Sequence, residues 1–267
     1  MNVEKKLSSL SKKFNRYQKF KVILYIIFSN KFGALCLHFA AQYNLHQVVC
    51  FLIKNGVDIN THDGDGNTAL HFAAKNGYLD IVNTLIKYGT DVNVYNTKFD
   101  RPLHFAIQNG FEEIVQTLVK NNAKIDCKDK GGHTPMHLAA KNCYNETLKI
   151  LIKNQGYIDS LNFDDNTPLH IAISGNCEST VEILLQHKAS VNAIGQHGCT
   201  PLHIATINNN KGMVEMLLKK NANPLLEINF KGSKGVTPLD IATLNHNEEI
   251  AQLLLGYALK FQIVSKS

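Results

Sequence analysis

Hydrophobic residues recur along the chain in pairs of short helical patterns, which polar turns separate. The apolar residues of Ile81–Ile86 fall on one face of a helix, and those of Ile114–Val119 repeat this spacing 33 residues later. A shorter segment rich in alanine, such as His71–Lys75, precedes each of these patterns and allows close packing of a first helix. Each copy of the pattern therefore predicts two short helices.

Six histidines set the period of the repeat, each lying 33 residues after the previous one: His38, His71, His104, His137, His170 and His203. Around them the tetrad Thr-Pro-Leu-His recurs, as in Thr167–His170 and Thr200–His203. A seventh copy, Thr237–Asp240, follows after 37 residues, so four extra residues lie between copies six and seven. One helix pair is too small to bury its own apolar face, so the repetition predicts a solenoid of stacked copies.

Local signals mark where these helices begin and end. The tetrad proline suits the first turn of a helix, and the threonine before it can cap that turn. A residue suited to a left-handed conformation follows the first helix in five copies: Asn44, Gly77, Gly110, Asn176 and Asn209. Cys143 and His246 stand at this point in the other two copies. Each copy closes with a polar turn such as Asn55–Asn60.

These features together resemble the ankyrin repeat. The 33-residue period, the tetrad and tails such as Gly89–Asn93 carry the resemblance, which covers seven copies over residues 33–256. It implies an all-α repeat solenoid of stacked helix-turn-helix repeats with projecting β-hairpin fingers. We therefore expect a basic N-terminal arm or capping helix at residues 1–32, the array at residues 33–256 and a C-terminal tail at residues 257–267.

The resemblance further implies that the tetrad threonines and histidines are structural and link neighbouring repeats through hydrogen bonds. These residues are Thr68, His71, His104, Thr134, His137, Thr167, His170, Thr200 and His203. Successive tetrad histidines should lie about 10 Å apart at ordinary helix-packing distances. Ligands of one metal ion lie within about 2.1 Å of it, so no two of these histidines can share a metal and no metal site is expected.

Catalytic motifs are absent from the chain. The sequence contains no nucleophile elbow, no phosphate-binding loop, no His-Glu-x-x-His motif and no kinase signature. The six cysteines are scattered without a C-x-x-C pair, so reduced thiols in a cytosolic protein are expected rather than a disulfide framework. The sequence thus predicts a protein that is not an enzyme, needs no cofactor and has no small-molecule substrate.

The resemblance implies instead a surface that binds a partner protein. In that family, the concave groove and the fingers bind partners through variable side chains, and aromatic anchors dominate interface energies. The candidates here are Tyr43, Lys75, Asn76, Phe99, Gln108, Asn109, Lys141, Asn142, Phe163 and Phe230. Phe230 lies in the insertion, which predicts a longer finger within Leu225–Val236. That finger is either a neutral insertion or a partner-specific contact.

The net charge of +6 is concentrated at the N-terminus. Residues 1–31 hold eight basic groups and one acidic group, whereas the remaining residues hold 20 basic and 21 acidic groups. An apolar stretch, Val22–Phe28, follows most of these basic residues. Four interpretations of this segment stay open: a cap or eroded repeat that shields copy one, a membrane-surface or nucleic-acid contact, a signal peptide, or an uncleaved anchor.

The pattern as a whole predicts a monomeric cytoplasmic scaffold or adaptor that binds a protein partner of unknown identity. The alternative is a membrane- or nucleic-acid-tethered ankyrin protein that makes those contacts only through residues 1–31. Lysine outnumbers arginine 26 to 2, which suggests an AT-rich genome such as that of an intracellular bacterium, a protist or a virus. From such a source the chain would be a secreted effector that acts on a host protein.

Overall fold

The computed structural model of the chain describes residues 30–230 and 232–264. The arm predicted at residues 1–32 lies outside this range except for its last three residues. The described residues form two compact units that divide between Thr97 and Lys98, which we call the N-terminal unit and the C-terminal unit. Both units consist of stacked helix pairs, and the predicted fold class, a solenoid of ankyrin-type repeats, is confirmed.

The N-terminal unit contains two helix pairs. The helices are α1 (Asn30–Gln42), α2 (His46–Lys54), α3 (Ala69–Asn76) and α4 (Leu79–Lys87). Helix α1 packs on α3, and α2 packs on α4, so that the two pairs stack in register. Leu37, Val49, Leu70 and Leu85 are fully buried between them. Apolar side chains one helical turn apart therefore meet their equivalents in the next copy, as the period predicts.

The C-terminal unit contains five helix pairs. The helices are α5 (Pro102–Gln108), α6 (Glu112–Lys120), α7 (Pro135–Lys141), α8 (Asn145–Lys153), α9 (Pro168–Ser174), α10 (Glu178–Gln186), α11 (Pro201–Ile207), α12 (Lys211–Lys219), α13 (Pro238–Leu244) and α14 (Glu248–Val264). The first helices of successive pairs pack against one another, and so do the second helices. Leu103, Leu148, Leu169 and Leu217 lie in this core with no more than 1 % of their surface exposed.

Tetrad prolines and left-handed residues bound the first helix of the pairs, as predicted. Each proline occupies the first turn, and the residue before it is extended. The predicted inter-helix residue has a positive φ in all seven copies, including Cys143 at 56° and His246 at 55°. Neither side chain favours this conformation, which costs about 1–2 kcal/mol outside glycine. Stacking of the copies therefore overrides local preference at these two positions.

The finger of the insertion is the one finger in the described residues that contains strands. Strand β1 (Ile228–Phe230) pairs antiparallel with β2 (Ser233–Val236), with Ile228 opposite Val236. Shorter fingers are tight turns, such as Asp129–His133, where two backbone hydrogen bonds close the turn: Asp129 N–H donates to the His133 carbonyl at 3.0 Å and Gly132 N–H to the Asp129 carbonyl at 2.9 Å. The resemblance implied a β-hairpin in each repeat. The other fingers are too short for paired strands, and the four extra residues of the insertion supply the length that strand pairing requires.

The last helix extends beyond the boundary predicted for the array. Helix α14 runs from Glu248 to Val264, so residues 257–264 continue the final helix and do not form a separate tail. Its first residues pack on α13 and α12 as in the other pairs. Gly256 lies within this helix and does not end it. A Cβ atom added at this glycine would meet open space. Residues 265–267 lie outside the described range.

A disulfide bond joins Cys143 to Cys177, so the expectation of reduced thiols is wrong for this pair. Cys143 is the left-handed residue between α7 and α8, and Cys177 follows the equivalent residue of the next copy. Stacking brings their Cα atoms to 5.4 Å, which is within the usual range for a disulfide. Within the described residues, Cys36, Cys50, Cys127 and Cys199 are free.

Candidate protein-binding surface

The tetrad histidines bridge the start of one helix to the finger of the next copy. Nε2 of His137 donates to the Asn166 carbonyl at 2.9 Å, which requires the hydrogen on Nε2 because a carbonyl only accepts. Nδ1 is then an acceptor, and it receives the backbone N–H of Thr134 at 3.2 Å and its hydroxyl at 2.8 Å. His104 and His170 make the same link to the carbonyls of the following fingers. Each imidazole therefore holds two repeats together.

The two copies beside the insertion depart from this arrangement. Nε2 of His203 is buried near the backbone of Leu226 and Val236 but makes no hydrogen bond of ordinary geometry within the described residues. In copy seven, Asp240 replaces the histidine and accepts the backbone N–H of Thr237 at 2.9 Å and its hydroxyl at 2.6 Å. Asp240 thus keeps the local cap but has no ring to reach a further repeat.

Burial keeps the tetrad histidines neutral. Loss of contact with water lowers the pKa of His137 and of His203 to about 4, and it also lowers the pKa of His104 and His170. All four side chains are inaccessible to solvent. Because they cannot reach a substrate, these residues hold structure together and offer no general acid or base.

Three of the predicted binding residues cap their own helices. The side-chain amides of Asn76, Asn109 and Asn142 donate to backbone carbonyls four residues earlier, at 2.8, 2.8 and 3.0 Å. Asparagine plays the same role at the ends of second helices, as Asn121 and Asn154 show. Recurrence of asparagine at both helix ends was the sequence signal for a cap. Lys75, Gln108 and Lys141 are exposed in the last turns of the same first helices.

We expect Asn109→Ala to lower the free energy of unfolding by about 0.5–1.5 kcal/mol, because the last turn of α5 loses a hydrogen bond to its carbonyl. The neighbouring change Gln108→Ala removes an exposed side chain of the same helix end and should leave stability within about 0.5 kcal/mol of wild type. Urea denaturation followed by circular dichroism measures both. An equal effect of the two changes would contradict the capping role.

Phe163 is the most exposed of the predicted aromatic anchors that the structure describes. Its side chain is 68 % exposed at the tip of a finger in the C-terminal unit. The ring nevertheless rests on the preceding finger, where a Cβ atom on Gly132 would lie 2.5 Å from its Cγ. Lys128 Nζ lies 5.6 Å from the ring centroid, within range of a cation–π contact. The ring is thus supported on one side and open on the other.

The other predicted aromatic residues lie apart from Phe163. Phe99 is exposed at another fingertip of the C-terminal unit, where its φ is 60°. Tyr43 lies in the N-terminal unit and packs on Phe39, with ring centroids 4.4 Å apart. Phe230 ends strand β1, and its side chain lies outside the described part of the chain.

Sequence reasoning missed two exposed apolar residues beside Phe163. Leu161 and Ile194 lie one period apart, so they occupy the same position on neighbouring fingers, and both are exposed. The period itself was the available signal. Aligning the copies gives Lys128, Leu161 and Ile194 at one position, where the residue type changes from basic to apolar. The fingers from Phe163 to Ile194 therefore present apolar side chains to solvent.

The insertion hairpin borders a polar pocket. The pocket has a volume of ≈ 380 Å³ and is lined by His197, Gly198, Glu227, Ile228, Asn229 and Gly235. Ile228 and Val236 at the base of the hairpin pack on Ile241, which fixes the finger to the body of the unit. The pocket is open and its lining is mainly polar, so it suits contact with polar side chains of a partner.

Among residues 30–230 and 232–264, no three histidine, cysteine, aspartate or glutamate side chains come together in a way that could hold a metal ion. Helices long and apolar enough to cross a membrane do not occur among them.

Comparisons with known proteins agree with the repeat pattern. A family model described as ankyrin repeats (3 copies) matches residues 13–96, 103–195, 156–228 and 192–266, and one described as ankyrin repeats (many copies) matches residues 74–119. Among solved structures, the crystal structure of the human ASB11 ankyrin repeat domain matches with 28 % identity and a TM-score of 0.71. The match covers 83 % of this chain and 96 % of that chain. The search of curated proteins finds no match.

Proposed function

The chain belongs to the ankyrin repeat family, and on that premise we propose that it is a non-catalytic scaffold that binds a partner protein through its fingers and inter-helix loops. Ankyrin repeats generally mediate protein–protein interaction and are typically not catalytic. In this chain the tetrad histidines are buried and engaged in structure, which leaves the exposed finger and loop residues as the groups available to a partner.

The observation that carries the proposal is the supported yet open ring of Phe163. Burying an aromatic ring supplies much of the energy of an interface, provided that ordering the side chain costs little. Contact with Gly132 and Lys128 already restricts this ring. A partner that covers its open face therefore gains apolar contact with a small loss of side-chain entropy.

Gly132 allows this arrangement for two reasons. Its φ is 77°, a left-handed conformation that glycine adopts without strain. A side chain at this position would also collide with Phe163, whose backbone nitrogen would lie 2.6 Å from the added Cβ. The absence of a side chain at Gly132 thus permits both the tight turn and the packing of the Phe163 ring against it.

The polar candidates have a supporting role in this proposal. Lys141 and Gln108 are exposed at the ends of first helices of the same unit, and Lys128 lies beside the ring. Exposed charges contribute mainly to the rate and selectivity of association rather than to affinity. We therefore assign affinity to Phe163 with Leu161 and Ile194, and selectivity to the lysine and glutamine side chains.

We expect Phe163→Ala to weaken partner binding by about tenfold or more, because alanine at an aromatic anchor commonly costs about 2 kcal/mol or more of binding energy. Tyr157→Ala is the matched control, since Tyr157 is similarly exposed but lies at the helix end of the same loop. The full chain, as wild type or either variant, serves as bait for proteins from a cell lysate. Partners identified in this way are then titrated by calorimetry.

The comparison among the three baits decides the outcome. Proteins held by wild type and by Tyr157→Ala but lost from Phe163→Ala support the proposal. Retention of every partner by Phe163→Ala would show that the fingertip is not the binding surface. Both variants should unfold within about 1 kcal/mol of wild type, because both side chains are exposed.

A further inference from the structure

The first helix pair exposes apolar residues at a position that is buried in later copies. Val48 on α2 is 42 % exposed. Its equivalents at successive periods are at most 2 % exposed: Ile81, Ile114, Thr147, Thr180 and Met213. Phe51, one turn further along α2, is exposed as well. The first pair thus has the surface of an internal repeat, although no described residue precedes it.

Helix α1 carries a second apolar surface of the same kind. Phe32, Leu35 and Phe39 follow one another at spacings of three and four residues and therefore share one face of α1, and Tyr43 follows directly after its end. Leu35 is 63 % exposed and Phe39 is 55 % exposed. The opposite face of α1, with Leu37 and Ala41, is fully buried in the core of the N-terminal unit. A helix that is apolar on both sides is typical of a buried position.

We propose that residues 13–29 of the same chain cover this surface as a cap on the first repeat. The segment lies directly before α1. The family-model match also begins at residue 13, which is one period before the start of α2 at His46. The segment thus lies in sequence where the second helix of a preceding copy would lie.

The composition of residues 13–21 suits this role. In helical register, Phe14, Tyr17 and Phe20 fall on one side together with Lys13 and Lys21, and Asn15 and Lys19 fall on the other. The aromatic side can cover Val48 and Phe51, while the polar side faces water. A terminal element of a repeat array requires such a polar outer face for solubility.

Hydrogen–deuterium exchange of the full chain tests the cap through the amides of α2. Changing Phe14, Tyr17 and Phe20 to serine should speed exchange in His46–Lys54 by about tenfold or more, because an uncovered terminal pair opens locally. Amides of α10 in the C-terminal unit report whether the rest of the variant is folded. The matched control changes Asn15 and Lys19 to serine and should leave α2 within about twofold of wild type.

Photocrosslinking identifies what lies on α2. A photoreactive phenylalanine analogue at position 51 should crosslink to residues 13–21 of the same chain, as read by peptide mass spectrometry of the monomer. Equal exchange rates in the aromatic variant and the control variant would overturn the proposal. Crosslinks to a second copy of the chain would also overturn it. So would binding of the wild-type chain to phosphatidylserine-containing vesicles, if changing Phe14, Tyr17 and Phe20 abolishes that binding.

Discussion

Lowering the pH from about 7.5 to about 5 is expected to reduce the free energy of unfolding by about 4 kcal/mol, through His137 and His203 alone. Burial lowers the pKa of each to about 4, whereas an unfolded histidine titrates near its ordinary value of 6.5. The unfolded chain therefore takes up protons between these values and the folded chain does not. At pH 5 this difference amounts to about 2 kcal/mol for each histidine.

The sign of the effect follows from the direction of the shift. Because the folded pKa is lower than the unfolded one, stability is complete above pH 6.5 and declines as the pH falls toward 4. His104 and His170 shift in the same direction and add to the loss. The carboxylate of Asp129 has a lowered pKa and contributes only below its ordinary value of 3.8, outside this window.

Urea titrations of the full chain at several pH values measure this dependence. His137→Gln should remove about half of the decrease in the free energy of unfolding that His137 and His203 cause between pH 7.5 and 5. The variant should also be less stable than wild type at neutral pH. The control is His187→Gln, because His187 is exposed and outside the tetrad. A free energy of unfolding that stays constant between pH 7.5 and 5 would contradict the buried neutral imidazoles.

Reducing the bond between Cys143 and Cys177 is expected to lower the free energy of unfolding by about 3–4 kcal/mol, the chain-entropy estimate for a loop of this length. The bond spans 34 residues, so it constrains the unfolded chain between two neighbouring copies. In the folded state stacking already places the two cysteines together, and opening the bond leaves the helix pairs in position. The protein should stay folded but unfold at a lower urea concentration.

Cys177→Ser is the cleaner test of this bond, because Cys143 has a positive φ and replacing it would also change backbone strain. The variant should be as stable as the reduced wild type, and dithiothreitol should not change it further. Cys127→Ser, at a free cysteine, is the control. Failure to find the Cys143–Cys177 peptide under non-reducing conditions would contradict the pairing. In a reducing cytosol the bond would be open.

Much of the fold was predictable because its signals are local. Proline in the first turn, a left-handed residue after the helix and the spacing of Ile81–Ile86 all act within one or two turns of chain. The 33-residue period then required the copies to stack. The last helix was predicted to end near residue 256 because the repeat length suggested it, but α14 continues to Val264.

The candidate surface was less predictable, because exposure does not reveal which polar groups are already engaged. Asn109 and Gln108 are adjacent in sequence and both exposed, yet Asn109 directs its side-chain amide back to its own helix and donates to the Phe105 carbonyl at 2.8 Å. The support of Phe163 by Gly132 likewise joins residues of different fingers. Such contacts depend on the offset between neighbouring copies.

The sequence by itself determined the number of repeats and where the first helix of the tetrad-bearing copies begins, because these signals act within a few residues. The tertiary structure alone decided that Cys143 meets Cys177, that His203 lacks the bond its counterparts make, and that Val48 is exposed where Ile81 is buried. The physical reason is that contacts between residues about one period apart depend on how neighbouring copies stack. The relative position of two stacked copies is not determined by the sequence of either copy alone.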